Sequence, residues 1–97
     1  MKIDFNKNNG ELTVVIDGRL DTTTAPELES FLGENYEGTA SLVFDCEKLI
    51  YISSAGLRVL LTAHKRMKGV MKLKNVNELV MEVLEMTGFA DVWEVVR

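Results

Sequence analysis

The sequence predicts an α/β fold, a single domain over residues 1–97 in which one mixed β-sheet of about four to five strands carries helices mainly on one face. Three observations support this prediction. A chain of 97 residues has room for one hydrophobic core. Its composition, 46% hydrophobic and 27% charged, is that of an ordinary globular protein. Short apolar runs alternate with amphipathic segments in the order β-β-α-β-α-β-α-β.

The predicted strands are short and are separated by turn-forming residues. Ile3–Phe5 and Glu11–Asp17 form a hairpin, because Asn8-Asn9-Gly10 between them tolerates the positive φ of a tight turn. Ser41–Cys46 is largely apolar, which is typical of a central strand buried on both faces. The remaining predicted strands are Val70–Leu73 and Val92–Val96. Alternation with helices favours parallel pairing through crossover connections.

Three amphipathic segments predict helices. For the first, Thr24 and Glu27 have the spacing of a capping box, and Pro26 falls in the first turn, where its missing N–H is harmless. This helix is expected to end between Gly33 and Gly38. The other two follow from apolar residues at helical spacing: Leu57, Leu60, Leu61 and His64 in the second, and Val76, Leu79, Val80, Val83 and Leu84 in the third.

The charge and the single cysteine argue against several classes of protein. The formal net charge is -4, whereas nucleic-acid binding requires a basic face toward the phosphates. Cys46 is the only cysteine, so we expect a buried thiol at a strand end and neither a disulfide nor a zinc cluster. The start of the chain lacks the apolar run of a signal peptide, and no stretch approaches the roughly 20 apolar residues of a membrane span. A cytoplasmic protein is expected.

The most informative segment runs from the predicted central strand through a loop to Ser53-Ser54-Ala55-Gly56 at a helix start. Unpaired backbone N–H groups and the helix dipole favour negative charge at such a position. Either serine is suited to capping the helix, which contributes about 1 kcal/mol. A phosphorylation site is the alternative, because a phosphoserine adds about -1.5 to -2 of charge where the helix accommodates it. The local pattern leaves both interpretations open.

The run YISSAGLRVLL, residues 51–61, resembles the signature of STAS domains, particularly that of the anti-sigma factor antagonists. In that signature a strand ends in Asp, and a loop then leads to a helix start of the form Asp/Ser-Ser-Ser/Ala-Gly-Leu. Five residues match: Asp45, Ser53, Ser54, Gly56 and Leu57. Gly18–Asp21 followed by Thr24-Ala25 resembles a second block, and Val83–Phe89 resembles the helix before the last strand.

The resemblance implies a phosphorylation switch. The unphosphorylated protein would bind an anti-sigma factor that is an ATP-dependent serine kinase, and so release a sigma factor. Phosphorylation of the serine two positions before the signature glycine, here Ser54, would end binding, and a serine phosphatase would reset the cycle. The implied partner-binding residues are Asp21, Thr22, Thr23, Thr24, Ser53, Ser54, Ala55, Gly56 and Leu57.

Two departures from the family pattern bear on this switch. Ser53 stands where the family often has Asp, which makes Ser53 the alternative phosphoacceptor. The connection Lys65–Val70 is shorter than is usual in the family, so the second helix is expected to be about a turn shorter or shifted in register. The resemblance also allows a non-switching interaction or ligand-sensing module linked to a transporter or signalling complex. Exposed edge strands allow a weak homodimer.

We expect no enzyme, no cofactor and no metal ion. The chain lacks a glycine-rich phosphate loop and a Gly-x-Ser-x-Gly elbow. The only histidine, His64, lies ten residues beyond Ser54. That spacing is about 15 Å along a helix axis, too far for a general base. His64 is instead expected at the core or its boundary.

Overall fold

A six-stranded mixed β-sheet organises the chain, and the computed structural model describes all 97 residues. The strands are β1 (Lys2–Asn8), β2 (Glu11–Leu20), β3 (Ser41–Asp45), β4 (Leu49–Ile52), β5 (Met71–Lys74) and β6 (Glu94–Val95). The helices are α1 (Ala25–Asn35), α2 (Ser54–Arg66) and α3 (Glu78–Thr87), and a 3-10 turn follows at Phe89–Asp91. The predicted α/β class is confirmed.

The strand order is β1-β2-β3-β5-β6, and β4 pairs with β2. Only β1 is antiparallel to its neighbour, while the other strand pairs are parallel, as the alternating pattern predicts. The sheet has one strand more than the five predicted segments, because β4 belongs to a stretch in which no strand was predicted.

The unpredicted strand β4 depends on the unusual length of β2. The first part of β2 pairs with β3, and its last three residues pair with β4, with a register shift between Gly18 and Arg19. Gly18 adopts a φ of +109°, which favours glycine, and its N–H donates to the carbonyl of Lys48 at 2.9 Å. A four-residue strand therefore forms where the bend in β2 presents a free edge to it.

The core lies between one face of the sheet and the three helices. Strand register places Leu12, Leu42 and Met71 in one row and Val14, Phe44 and Leu73 in the next, and all six are buried. Buried residues of all three helices join the same cluster. The opposite rows contain polar side chains such as Thr13 and Lys72, so the helices cover one face, as predicted. Val43 on that opposite face is also buried, which makes β3 the predicted central strand buried on both faces.

Two local predictions had different outcomes. The hairpin turn is confirmed, because Asn9 and Gly10 have φ of +52° and +83° between β1 and β2. The capping box of Thr24 and Glu27 is wrong. Thr24 is the N-cap residue of α1, but its hydroxyl accepts from the N–H of Asp21 at 2.9 Å and donates to the carbonyl of Arg19 at 2.8 Å, so it makes no capping hydrogen bond.

The observed bounds of the helices and of the last strand can be compared with the predicted ones. Helix α1 ends at Asn35, within the predicted range, and Pro26 lies in its first turn. Helix α2 has 13 residues and leads into a turn in which Lys68 and Gly69 both have positive φ. The last strand is limited to Glu94–Val95, whereas the prediction extended it over Val92–Val96. Trp93 precedes it and is buried, stacked on Phe89 at 4.4 Å between ring centroids.

Candidate functional site

The two loops that carry the predicted site residues lie side by side at the carboxyl ends of β2 and β4. Leu20 and Ile52 are the last paired residues of these parallel strands. The N–H of Ser53 donates to the carbonyl of Leu20 at 2.9 Å, which joins the start of one loop to the start of the other. The structure therefore brings the Asp21 loop and the Ser54 loop together, although 32 positions separate these two residues in the sequence.

The two adjacent serines occupy different positions at the start of α2. Ser53 is the N-cap residue with extended backbone, and its hydroxyl accepts a long hydrogen bond of 3.5 Å from the N–H of Gly56. Ser54 is the first helical residue, is exposed to solvent, and its side chain makes no hydrogen bond within the protein. Capping therefore falls to Ser53, and the Ser54 hydroxyl is free.

Gly56 holds the helix start against the end of β2. A Cβ atom at this position would lie 2.7 Å from Cγ of Leu20 and 2.9 Å from the carbonyl oxygen of Leu20. Contacts this short do not occur in packed proteins without displacement of the neighbours. The signature glycine therefore allows the close approach of α2 to β2, which fixes the position of the preceding serines. Leu57, the next residue, is buried in the core.

The turn between β2 and α1 is organised by Asp21. Its carboxylate accepts from the N–H groups of Thr23 and Thr24 at 3.0 and 3.2 Å. These hydrogen bonds, chiefly the one from Thr24, lower the pKa of Asp21, and the nearby Arg19 guanidinium at 3.7 Å acts in the same direction. Asp21 thus orders the turn, as the sequence allowed, and leaves Thr22 and Thr23 exposed on its surface.

The implied partner-binding residues divide by exposure. Three present exposed side chains, namely Thr22, Thr23 and Ser54. Four are half-buried, namely Asp21, Thr24, Ser53 and Ala55. Gly56 and Leu57 are buried and act by supporting the loop. The resulting surface is shallow, polar and formed by two loops, which suits contact with a protein partner more than enclosure of a small molecule.

Two grooves flank the start of α2. Both are lined by Arg58, a residue that the sequence analysis did not single out. One groove, of about 170 Å³, lies against α1 and includes Pro26 and Ala55. The other, of about 280 Å³, runs from Ser54 toward Phe89 at the end of α3. The position of Arg58 four residues after Ser54 was a usable signal, because residues at that spacing are neighbours on a helix surface.

The chemistry of the two remaining singled-out side chains fits structural roles. Cys46 is fully buried just after β3, as predicted, and burial raises the pKa of its thiol to about 12. His64 is half-buried on α2, at the predicted boundary of the core, with its ring centroid 6.4 Å from that of Trp93.

No helix in the protein is both long enough and apolar enough to span a membrane.

Comparison with known proteins agrees with this fold. The model of the STAS domain family matches residues 2–97. The chain therefore belongs to the STAS domain family.

Two relatives narrow the class further. BtrV of Bordetella bronchiseptica, provisionally named an anti-sigma factor antagonist, is 34% identical over 99 residues, which cover 98% of this chain and 85% of BtrV. The anti-sigma-B factor antagonist of Bacillus subtilis is 29% identical over 98 residues, covering 98% of this chain and 90% of that protein. Within its family, the chain groups with the anti-sigma factor antagonists.

A solved structure supports the fold. Bacillus SpoIIAA in its phosphorylated form superposes with a TM-score of 0.75 at 13% identity, covering 97% of this chain and 90% of that one. Its unphosphorylated form gives the same TM-score at 12% identity, over 99% of this chain and 87% of that one. At this level of identity the likeness concerns the arrangement of the backbone.

Proposed function

We propose that this protein is a partner-switching anti-sigma factor antagonist that is controlled by phosphorylation of Ser54. In its unphosphorylated state it binds an anti-sigma factor through the Asp21 and Ser54 loops, and the anti-sigma factor then releases its sigma factor. The bound anti-sigma factor acts as a serine kinase and transfers the γ-phosphoryl group of ATP to the Ser54 hydroxyl. ADP leaves, and the hydroxyl proton passes to a base on the kinase. A serine phosphatase restores the binding form.

The division of roles between the two serines is the observation that carries this proposal. A kinase needs an exposed hydroxyl with no structural duty, and Ser54 meets both conditions. The Ser53 hydroxyl is half-buried and accepts the capping hydrogen bond from Gly56. Modification of Ser53 would have to rearrange this half-buried contact, whereas modification of Ser54 leaves the contact in place. This favours Ser54 over Ser53 as the phosphoacceptor.

The electrostatics of the helix start explain how a phosphate acts as a switch. The first turn of α2 contains no acidic residue, so a phosphate on Ser54 meets the positive end of the helix dipole and is tolerated by the fold. The same phosphate lies in the middle of the proposed docking surface. There it opposes binding, because association would desolvate about two negative charges for which the anti-sigma factor supplies no matched partner.

The protein takes no catalytic part in this cycle, and the kinase and phosphatase activities belong to its partners. The only histidine, His64, lies in the carboxyl-terminal half of α2, away from Ser54 at the start of that helix. The proposed partners use ATP, and the cycle is therefore placed in the cytoplasm.

Incubation with the cognate anti-sigma kinase and ATP, followed by peptide mass mapping, tests the proposal. We expect one phosphate, on Ser54, in the wild type and in Ser53→Ala, and none in Ser54→Ala. In a pull-down with the same kinase, Ser54→Ala should bind with or without ATP, and Ser54→Asp should bind at least about tenfold more weakly. Phosphate on Ser53 alone would show that the serines were assigned in the wrong order. A stable complex without phosphate on either serine would indicate a non-switching interaction module.

A further inference from the structure

Arg58 occupies an unusual place on the surface beside Ser54. It lies on the same face of α2 and lines the same groove of about 280 Å³, together with Leu57, Leu61 and Phe89. Among the residues that line this groove, Arg58 is the only charged one. The groove is otherwise largely apolar, so the guanidinium is the one group there that can neutralise an anion.

This guanidinium has no partner within the protein. Arg19 pairs with Asp21 at 3.7 Å and lies over the ring of Tyr51 at 4.3 Å from its centroid. Arg66 lies over the ring of Tyr36 at 4.8 Å. Arg58, by contrast, is exposed and forms neither an ion pair nor a cation–π contact.

The carboxylates on the neighbouring elements leave Arg58 free as well. Asp21, in the loop beside the helix start, is engaged by its own turn and by Arg19. Glu29 of α1 lines the smaller groove together with Arg58, but the two side chains form no salt bridge. The nearest elements therefore leave a positive charge unmatched one helical turn from the Ser54 hydroxyl.

Helix geometry directs this charge toward Ser54. Residues four apart on a helix have Cβ atoms about 5–6 Å from each other. Side chains on a helix lean toward its amino terminus, so Arg58 leans over the turn that contains Ser54. The orientation with the anion first and the cation four residues later is the favourable one for such pairs. Arginine also offers a planar pair of donors that matches phosphate oxygens.

We propose that Arg58 is the intramolecular partner of a phosphate on Ser54, and that it folds onto the phosphate to form a charge-assisted, two-donor contact along α2. The proposal rests on the proposed function in so far as Ser54 carries the phosphate. Phosphorylation then makes two changes at once. It adds negative charge to the docking surface, and it withdraws from that surface the one free guanidinium of the groove.

The test uses the full chain with phosphoserine incorporated at position 54 during synthesis, so no kinase is needed. The second pKa of the phosphate is read from its ³¹P chemical shift during a pH titration. We expect it to be lower in the wild type than in Arg58→Gln by about 0.5 pH unit, since the guanidinium favours the dianion. Arg58→Lys, which keeps the charge but loses the fork geometry, should lie between the two.

Lys65→Gln is the matched control. It removes one positive charge from an exposed position on the same helix, about 16 Å from Ser54 along the axis, where the interaction is largely screened at 0.1 M salt. Its phosphate should titrate like that of the wild type. Thermal unfolding of the unphosphorylated variants checks that each is folded, which exposure of both side chains leads us to expect.

Coincident titration curves for the wild type and Arg58→Gln would overturn the proposal. An equal shift in Arg58→Gln and Lys65→Gln would also overturn it, because the effect would then reflect overall charge. Neither result concerns whether a kinase uses Ser54. Conversely, failure of the kinase assay would leave the outcome of this titration unchanged, so the two proposals fail separately.

Discussion

Helices α2 and α3 both follow an N-cap residue whose side chain accepts a hydrogen bond from a backbone N–H, but different contacts hold the two helix starts in place. Ser53 caps α2 through one long hydrogen bond of 3.5 Å. Asn77 caps α3 through a hydrogen bond of 2.9 Å from Val80, and its side-chain amide also donates to the carbonyl of Leu49 at 2.7 Å. The first turn of α3 contains the acidic Glu78, whereas that of α2 contains no acidic residue.

The difference shows which helix start depends on its N-cap side chain. The start of α3 depends on its cap, because Asn77 joins the helix to β4. The start of α2 is fixed by backbone contacts with the end of β2, through Ser53 N–H and through the close approach at Gly56. The hydroxyls of Ser53 and Ser54 therefore contribute little to the fold.

The largest effect is expected for the close contact between Gly56 of α2 and Leu20 of β2. Gly56→Ala should lower the free energy of unfolding by about 3 kcal/mol, because the new Cβ overlaps the side chain and the carbonyl of Leu20. Urea denaturation measures this. Gly33→Ala in α1 is the matched control, since a Cβ there meets nothing within 4 Å. It should stabilise the protein by about 0.5–1 kcal/mol. Equal effects of the two substitutions would contradict the account of Gly56.

Effects of intermediate size are expected when the two N-cap residues, Asn77 and Ser53, are replaced by alanine. Asn77→Ala should cost about 1–2 kcal/mol, because it removes a short capping bond and the bond to the Leu49 carbonyl. Ser53→Ala should cost about 0.5 kcal/mol, at the low end for a cap, because its hydrogen bond is long. Both values come from the same denaturation series. A larger loss in Ser53→Ala than in Asn77→Ala would reverse the comparison.

The smallest expected effect concerns the loop next to Ser53. Hydrogen bonds from Thr24 and Thr23 lower the pKa of Asp21 below its ordinary value of 3.8. A carboxyl group with a lowered pKa in the folded state stabilises the protein above its unfolded-state pKa, and this contribution is lost as the pH falls through the folded-state pKa. Asp21→Asn should therefore be less stable than the wild type at pH 7.

The difference between Asp21→Asn and the wild type should shrink as the pH falls below 3.8. Urea midpoints at several pH values measure it. Asp4→Asn on β1, which removes an exposed carboxylate, is the control. A difference for Asp21→Asn that stays constant down to low pH would mean that the charge of Asp21 contributes nothing to the turn.

Local sequence patterns predicted most of the secondary structure but misassigned two features that depend on contacts outside the segment concerned. The hairpin turn at Asn9-Gly10 was predictable because its backbone conformation is a property of these residues alone. Strand β4 was not predicted, since four residues carry little signal and the strand needs the bent end of β2 as its partner. The Thr24 capping box failed because the hydroxyl accepts from the N–H of Asp21, in the turn before the helix, and not from the helix itself.

The candidate site shows the same division. The Ser54 segment could be identified from its residues and their resemblance to a family, but the choice between the two serines depends on exposure and on the hydrogen bond from Gly56. Arg58 was overlooked although its spacing from Ser54 was visible, because its lack of a partner is evident only when every neighbouring carboxylate has been placed.

The sequence by itself determined the α/β class, most of the helices and strands, and the segment that contains the two candidate serines. These features follow from apolar periodicity and from turn residues, which act over a few positions of the chain. Only the tertiary structure decided that Ser53 caps α2, that Ser54 is free, and that Arg58 beside it is unpaired. Those properties arise where β2, β4 and α2 meet, and they depend on contacts between residues that are far apart in the chain.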